Sequence, residues 1–202
     1  LRAHHRLVNR HIGISAIAYP NKVNSSLDIE EANDYLEYCA TAQIENLVVS
    51  LDDNEPANAL IKTITPLVKK AENLGVMVLI ETSGKYAKTQ NVLDILNIFA
   101  SGALGVAWNV RETFFTSSES ADATIQTLGA YINYVLIGDR HGDVNCLIGD
   151  GDLPVTDFIT ALRSLNSAGY VCALWNDDID DEDIILTHFT RFMASVMPQE
   201  KP

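Results

Sequence analysis

The sequence predicts an α/β protein whose parallel sheet is arranged as a TIM (β/α)8-type barrel. Apolar runs of strand length alternate with amphipathic stretches along all 202 residues, and the strand-plus-helix units average about 30 residues, as in βαβ crossovers. No clear turn signal joins two strands as a hairpin. At most seven strands can be counted, so we expect the first barrel strand to be absent from this chain, and to lie upstream of Leu1 or be replaced by a partner.

Seven runs rich in β-branched and aromatic residues are the candidate strands. They span 11–18, 46–51, 76–81, 104–110, 131–137, 146–148 and 170–175. Several are apolar at consecutive positions rather than alternately, which predicts strands buried on both faces, as a parallel sheet requires. The run 146–148 is at most a very short strand.

Helices are predicted between these strands, where apolar residues recur every three or four positions. They begin near residues 28, 56, 89, 120, 154 and 181. Pro56 and Thr89 are helix-starting residues, and Gly75 stops the second helix. That helix keeps its apolar stripe across Pro66, so we expect a kink there and not a break.

Charge and cysteine content narrow the class of protein. A formal net charge of −13 argues against nucleic acid or an anionic membrane as a partner. Cys39, Cys146 and Cys172 are far apart and form no CxxC, which fits buried thiols in a reducing compartment better than disulfides. No apolar run approaches bilayer-spanning length. We therefore expect a cytoplasmic protein, a single domain over 1–202 that belongs to a longer polypeptide.

Glu81 is the residue that the sequence singles out, because it ends the most apolar strand. In parallel α/β folds the ligand site forms at the carboxyl ends of the strands, so function explains a charge there more readily than packing does. The alternative is a solvated loop acid. Many further acids fall in loops on the same face and would repel a phosphorylated substrate unless a cation intervened. The obvious cations there are Lys85, Arg111, Arg140 and His141.

Five motifs resemble those of the xylose isomerase-like TIM-barrel superfamily, which includes sugar-phosphate isomerases and epimerases and, more distantly, endonuclease IV. They are 78–81, similar to "lxlE"; 105–109 with Glu112, similar to "vgxxxD" followed by His; 131–139, similar to "yixhvHxKD"; 147–152, similar to "lpxGeGd"; and 169–176, similar to "GYxGxlxxE". The resemblance covers nearly the whole chain in order.

The resemblance implies a divalent metal held by Glu, Asp, His and Glu, with proton transfer next to a substrate carbonyl. Only Glu81 keeps its identity at these positions. Asn109 replaces the Asp, Leu136 occupies the sixth-strand His position and Asn176 replaces the final Glu, while Glu112 or Thr113 stands near the other His. An amide is a weak ligand and Leu is none, so we expect no Mg²⁺, Mn²⁺ or Zn²⁺ in the usual position.

The dipeptide Trp-Asn occurs at two strand ends, as Trp108-Asn109 and Trp175-Asn176. If both Asn side chains point toward the barrel axis, two amides replace two charges, and amides suit sugar hydroxyls. Equally, both could cap the turns that follow.

The sequence thus predicts a barrel that acts, if it is active, as a sugar isomerase or epimerase on a sugar or sugar-like polyol. The expected residues are catalytic Glu81 and substrate-binding Asn109, Glu112, Asp139, Asp150 and Asn176. No cofactor is predicted, although Glu112, Asp139 and Asp150 could rebuild a metal site. The alternative is a non-catalytic barrel that binds carbohydrate or serves as a module of a larger protein, with a fused or partner domain. An endonuclease IV-type phosphodiesterase ranks third, because neither the histidines nor the basic surface is present.

Overall fold

The computed structural model describes Leu7, Arg10 and residues 12–165, 169–174 and 182–196. Its strands are β1 (Ala16–Ala18), β2 (Asn46–Val49), β3 (Met77–Glu81), β4 (Leu104–Asn109), β5 (Ile132–Ile137), β6 (Asp139–His141), β7 (Val144–Cys146) and β8 (Tyr170–Ala173). Six of them form one sheet in the order β1-β2-β3-β4-β5-β8, and every neighbouring pair is parallel. The predicted α/β class and parallel sheet are confirmed.

The helices alternate with these strands. They are α1 (Ile29–Thr41), α2 (Ala57–Leu74), α3 (Thr89–Leu96), α4 (Val110–Phe115), α5 (Ala121–Leu128), α6 (Val155–Ser164) and α7 (Glu182–Val196). Short 3-10 turns precede α3 and β5 at Gly84–Ala87 and Gly129–Tyr131. No helix in the described ranges is long and apolar enough to cross a membrane.

Local sequence explains where α1 begins and where α2 ends. Asp28 caps α1, and its carboxylate accepts hydrogen bonds from the N–H groups of Glu30 and Glu31. Helix α2 continues through Pro66, as its apolar stripe predicted. It ends at Gly75, whose φ of 68° lies in the left-handed region that glycine adopts most easily.

Two apolar layers cover the two faces of the sheet, because successive strand residues point to opposite sides. The larger layer lies between sheet and helices and contains the fully buried Trp108, whose ring centroid is 5.6 Å from that of Phe158. The smaller layer lies on the inner face. It comprises Val48, Leu79, Ala107 and Tyr134, with Ala16, Met77, Leu136 and Cys172 packed against it.

The second half of the chain departs from strict alternation. Strands β6 and β7 pair antiparallel through the two-residue turn at 142–143, where Gly142 has a φ of 59°. The expectation of no hairpin was therefore wrong, and so was that of a sheet strand at 146–148. Instead β5 pairs directly with β8. A tight Gly-Asp turn with a left-handed glycine favours a hairpin over a crossover.

Strands β1 and β8 are the two edges of the sheet within the described part of the chain. They do not pair with each other there, so the predicted gap between them persists. Strand β1 is also shorter than predicted, since only Ala16–Ala18 of the run 11–18 is paired. Six parallel strands and their helices thus form most of a barrel.

Tyr134 bridges the inside of this barrel. Its hydroxyl lies 2.9 Å from the hydroxyl oxygen of Ser15, which immediately precedes β1, although three strands lie between β1 and β5 in the sheet. The carbonyl of Ser15 also accepts a 2.8 Å hydrogen bond from the side-chain amide of Asn46. Burial raises the pKa of Tyr134 above its usual value, and the bond to Ser15 opposes that rise. The short edge strand β1 is therefore held from inside as well as by β2.

We expect Tyr134→Phe to lower the free energy of unfolding by about 1 kcal/mol, since the ring remains and one partly buried hydrogen bond is lost. Urea unfolding followed by circular dichroism measures this. Tyr170→Phe is the matched control, because Tyr170 is 46% exposed. Equal effects of the two substitutions would contradict a bridging role for Tyr134.

Candidate functional site

Glu81 lies at the carboxyl end of β3, where neighbours on both sides orient its carboxylate. Ser50, just after β2, donates a 2.7 Å hydrogen bond to Oε2. The side-chain amide of Asn109, at the end of β4, donates a 2.8 Å hydrogen bond to Oε1. The carboxylate is partly exposed, so each oxygen has one protein donor and the group still reaches the face where ligands bind in this fold class.

Parallel register brings these three residues together from distant parts of the chain. Val49 pairs with Ile80, which sets Ser50 beside Glu81. Glu81 pairs with Ala107, and Asn109 follows two positions later on the same face of the sheet. The apolar inner layer of Val48, Leu79 and Ala107 lies directly beneath. Glu81 is thus a charged group at the top of an apolar interior.

Asn109 makes two side-chain hydrogen bonds with different elements, one of which caps the following helix as the sequence suggested. Its Nδ2 atom points to Glu81, whereas its Oδ1 atom accepts the N–H of Glu112 at 3.2 Å and caps α4. Its backbone N–H donates to the hydroxyl of buried Thr82 at 2.8 Å. The side chain is only 3% exposed, so its orientation is fixed by contacts at both ends.

Glu112 lies in the first turn of α4, directly after the strand end that carries Asn109. Its carboxylate accepts a 3.0 Å hydrogen bond from the hydroxyl of Thr116 in the same helix. The side chain is partly exposed. An acid in the first turn also stabilises the helix through the helix dipole.

Asp139 follows β5 but is buried, with 2% exposure. Its two oxygens accept hydrogen bonds at 2.8–3.1 Å from the backbone N–H groups of Arg140, Gly149, Gly151 and Leu153. A Cβ atom at Gly151 would overlap the carboxylate. The segment 139–153 is therefore folded around the carboxylate of Asp139, whose two oxygens are both occupied by backbone N–H groups.

The other three acids of this segment, Asp143, Asp150 and Asp152, are exposed. Asp150 lies in the turn that Asp139 organises. Asp152 accepts bonds from the backbone N–H of Gly142 and from His141, both at 2.9 Å. Those two bonds, the one from Gly142 first, lower the pKa of Asp152. Asp152 thereby joins the tip of the hairpin to the turn that follows it.

Of the predicted site residues, the structure brings Glu81 and Asn109 into contact and places Glu112 one turn beyond them. Asn176 lies outside the described residues. Ser50 and Thr82 were not predicted to contribute. The signal for both was available, since each is a polar residue directly after an apolar strand run, but only the register identifies their partners.

Lys85, which the sequence suggested as a cation at the site, instead contacts the loop after β2. Its ammonium donates to the carbonyls of Asp53 and Glu55 at 2.8 and 2.7 Å. The Asp53 carboxylate accepts from the Lys85 backbone N–H and pairs with Lys22, both at 2.7 Å. Burial pushes the pKa of Asp53 upward, but the bonds from Lys22 and Lys85 outweigh it and the pKa is lowered. This network ties the loop after β2 to the turn after β3.

The described residues do not fit the divalent metal that the sequence resemblance implies. Glu81 is bonded to two side chains, the Asn109 oxygen is occupied by a helix N–H, and the Asp139 oxygens accept four backbone bonds. Leu136, opposite Asn109 in the sheet, has no donor atom. Among the residues described, no three His, Cys, Asp or Glu side chains are grouped so that they could hold an ion.

Several solved structures share this fold. An L-ribulose 3-epimerase has a TM-score of 0.81 at 14% identity, over 100% of this chain and 84% of that chain. The 3-keto-D-glucoside 4-epimerase YcjR from E. coli has a TM-score of 0.76 at 14% identity, over 95% and 82%. The IOLI protein with a bound zinc atom has a TM-score of 0.77 at 15% identity, over 96% and 80%.

The sequence matches no protein-family model and no curated protein. Structure alone relates it to these enzymes. The chain has the xylose isomerase-like TIM-barrel fold, as its motifs predicted, with a sugar epimerase-like arrangement of strands and helices. It has diverged far in sequence from the structures that share the fold.

We expect protein purified without chelator to contain only substoichiometric Mg, Mn or Zn. Asn109 and Leu136 carry no charge and the Asp139 oxygens are occupied by backbone N–H groups, which leaves too few charged ligands to offset dehydration of the ion. Elemental analysis by plasma mass spectrometry measures this. A near-stoichiometric ion that is lost in Glu81→Gln would contradict the prediction.

We expect Asp139→Asn to lower the free energy of unfolding by about 3 kcal/mol, since an amide NH₂ would face backbone N–H groups that need an acceptor. Urea unfolding measures the change. Asp150→Asn, an exposed acid in the same loop, should have almost no effect. Comparable losses in both variants would show that Asp139 does not organise the loop.

Proposed function

We propose that the chain is a sugar isomerase or epimerase that acts on a sugar or sugar-like polyol through proton transfer next to a carbonyl. The observation that carries this proposal is the carboxylate of Glu81, oriented by Ser50 and Asn109 at the carboxyl end of β3. That the neighbouring structures include an L-ribulose 3-epimerase and a 3-keto-D-glucoside 4-epimerase supports the same class of reaction.

A carboxylate held in this way can act as a general base. It would take the proton from the carbon next to the carbonyl. The C–H electron pair then becomes a C=C bond, the carbonyl π pair moves to the carbonyl oxygen, and an enediolate forms. A proton delivered to the same carbon from the opposite face, by a second acid group there, gives an epimer. A proton delivered by Glu81 to the former carbonyl carbon, with transfer of the hydroxyl proton between the two oxygens, gives an isomer. The two hydrogen bonds keep Glu81 in one position while the proton moves, which limits the reorganisation that each transfer requires.

Asn109 and Glu112 are the proposed substrate contacts beside the base. Asn109 fixes both the carboxylate and the start of α4, and Glu112 projects from the first turn of that helix. Asp150, which is exposed on the loop after β7, and Asn176 complete the proposed set. We also propose that 1–202 is one domain of a longer polypeptide that acts in the cytoplasm.

A second candidate is a barrel that binds a carbohydrate without chemistry. Leu136 favours it, because it stands where related barrels place a His and faces the inner layer beneath the site. In that case Glu81 would accept hydrogen bonds from sugar hydroxyls and no proton would leave carbon. Isotope exchange at carbon separates this candidate from the enzyme.

We expect the protein to exchange deuterium from D₂O into the carbon next to the carbonyl of a ketose, and Glu81→Gln to slow this by at least about 10²-fold, since the base is lost. NMR and mass spectrometry of a ketose panel that includes L-ribulose and D-fructose measure the exchange. Glu45→Gln is the control, because Glu45 is exposed and precedes β2 at the amino end of the barrel.

Exchange that persists in Glu81→Gln would show that another group is the base. Binding of a sugar by the unaltered protein with no exchange in any ketose would favour the binding barrel. Loss of exchange in both Glu81→Gln and Glu45→Gln would indicate a general loss of structure, which circular dichroism checks independently.

A further inference from the structure

Arg140 lies at the end of the barrel that carries Glu81 and forms no ion pair with any residue that the structure describes. Its guanidinium carbon lies 4.2 Å from the ring centroid of Phe115 in α4, and its Nε atom is buried without a hydrogen-bond partner. Stacking on an aromatic ring offsets part of the desolvation of an arginine, but a buried donor without an acceptor remains unfavourable. An arginine in this state gains more than most from an incoming anion.

Arg111 approaches the same place from the neighbouring helix. It is the second residue of α4, directly after the strand end of Asn109, and its Nη1 atom donates a 2.7 Å hydrogen bond to Oδ1 of Asn145. Asn145 is the cross-strand partner of Arg140 in the hairpin of β6 and β7. Paired residues of an antiparallel hairpin project from one face, so Arg140 and the contact of Arg111 lie on the same face.

Besides the hydrogen bond from Gly142, the charge of Arg140 contributes to the lowered pKa of Asp152, but Asp152 forms its ion pair with His141. The ion pairs among described residues join Lys22 to Asp53, Lys70 to Glu37 and His141 to Asp152. Asp139, adjacent to Arg140, has its oxygens occupied by backbone N–H groups. Although the chain has a net charge of −13, neither Arg111 nor Arg140 takes part in any described ion pair.

We propose that Arg111 and Arg140 receive an anionic group of the ligand, a carboxylate or a phosphate ester, at the rim of the face that carries Glu81. Guanidinium groups bind both kinds of oxyanion through paired hydrogen bonds. In the setting of the proposed function, which this inference deepens, the substrate is an anionic sugar. The arginines then also counteract the many acids on this face, which would otherwise repel such a ligand.

Isothermal titration calorimetry at low ionic strength tests the proposal with D-fructose, D-fructose 6-phosphate, D-glucuronate and inorganic phosphate. We expect at least one anionic sugar to bind at least about tenfold more tightly than D-fructose, the effect of one or more charge-assisted hydrogen bonds. Arg140→Gln and, separately, Arg111→Gln should abolish this preference. The phosphate ester and the uronate distinguish the two anions.

Arg163→Gln is the matched control, because it removes the same charge from an exposed position on α6 and should retain the preference. Glu81→Gln should retain it as well, because the arginines are intact. In the unaltered protein, an anion preference without isotope exchange in any ketose would contradict the proposed enzyme but not this site. Equal affinities for neutral and anionic sugars, no binding of any anion, or an equal loss in Arg163→Gln would each overturn the inference.

Discussion

Parallel pairing of the six sheet strands is the constraint on which the rest of this structure depends. Because every neighbouring pair runs in the same direction, all carboxyl ends meet at one rim, and each helix must return the chain to the opposite end. Side chains that are about 30 positions apart in sequence, such as Ser50, Glu81 and Asn109, thereby become direct neighbours. The site is a consequence of register, since the pairing of Val49 with Ile80 and of Glu81 with Ala107 leaves those three polar groups on one face above an apolar layer.

Glu81 and Asp139 show how two acids at equivalent strand ends acquire different roles. Glu81 is bonded to two side chains and remains partly exposed, which suits a group that exchanges a proton. Asp139 is surrounded by four backbone N–H groups, and a carboxylate in that environment stabilises a loop rather than binding a ligand. The loop it stabilises includes the hairpin strands that carry Arg140 and Asn145. Asp139 thus stabilises the hairpin that carries Arg140, one of the two arginines that we propose to bind the ligand.

Several features were predictable because they depend on residues close in sequence. The left-handed cap at Gly75 and the unbroken helix across Pro66 follow from local preferences and from a continuous apolar stripe. The hairpin of β6 and β7 was missed although its Gly142-Asp143 turn is visible, because polar flanking residues conceal a pair of short strands. Asn109 was left open between capping a turn and facing the barrel axis. Its side-chain NH₂ group contacts Glu81 and its side-chain oxygen caps α4. No sequence pattern can indicate this, since the two partners come from different elements.

By itself the sequence determined the α/β class, the parallel sheet, the xylose isomerase-like fold and the position of Glu81 at the carboxyl end of a strand, because hydrophobic periodicity and short motifs are properties of neighbouring residues. Tertiary structure decided which polar groups surround Glu81 and that Asp139 is buried. It also decided that β5 pairs with β8, while Arg140 lies on a hairpin outside the six-stranded sheet. These depend on strand register and on contacts between residues far apart in the chain, such as that of Ser15 with Tyr134 across the barrel. A shift of one residue in any strand would turn its side chains to the other face, and only the packed sheet determines which register is adopted.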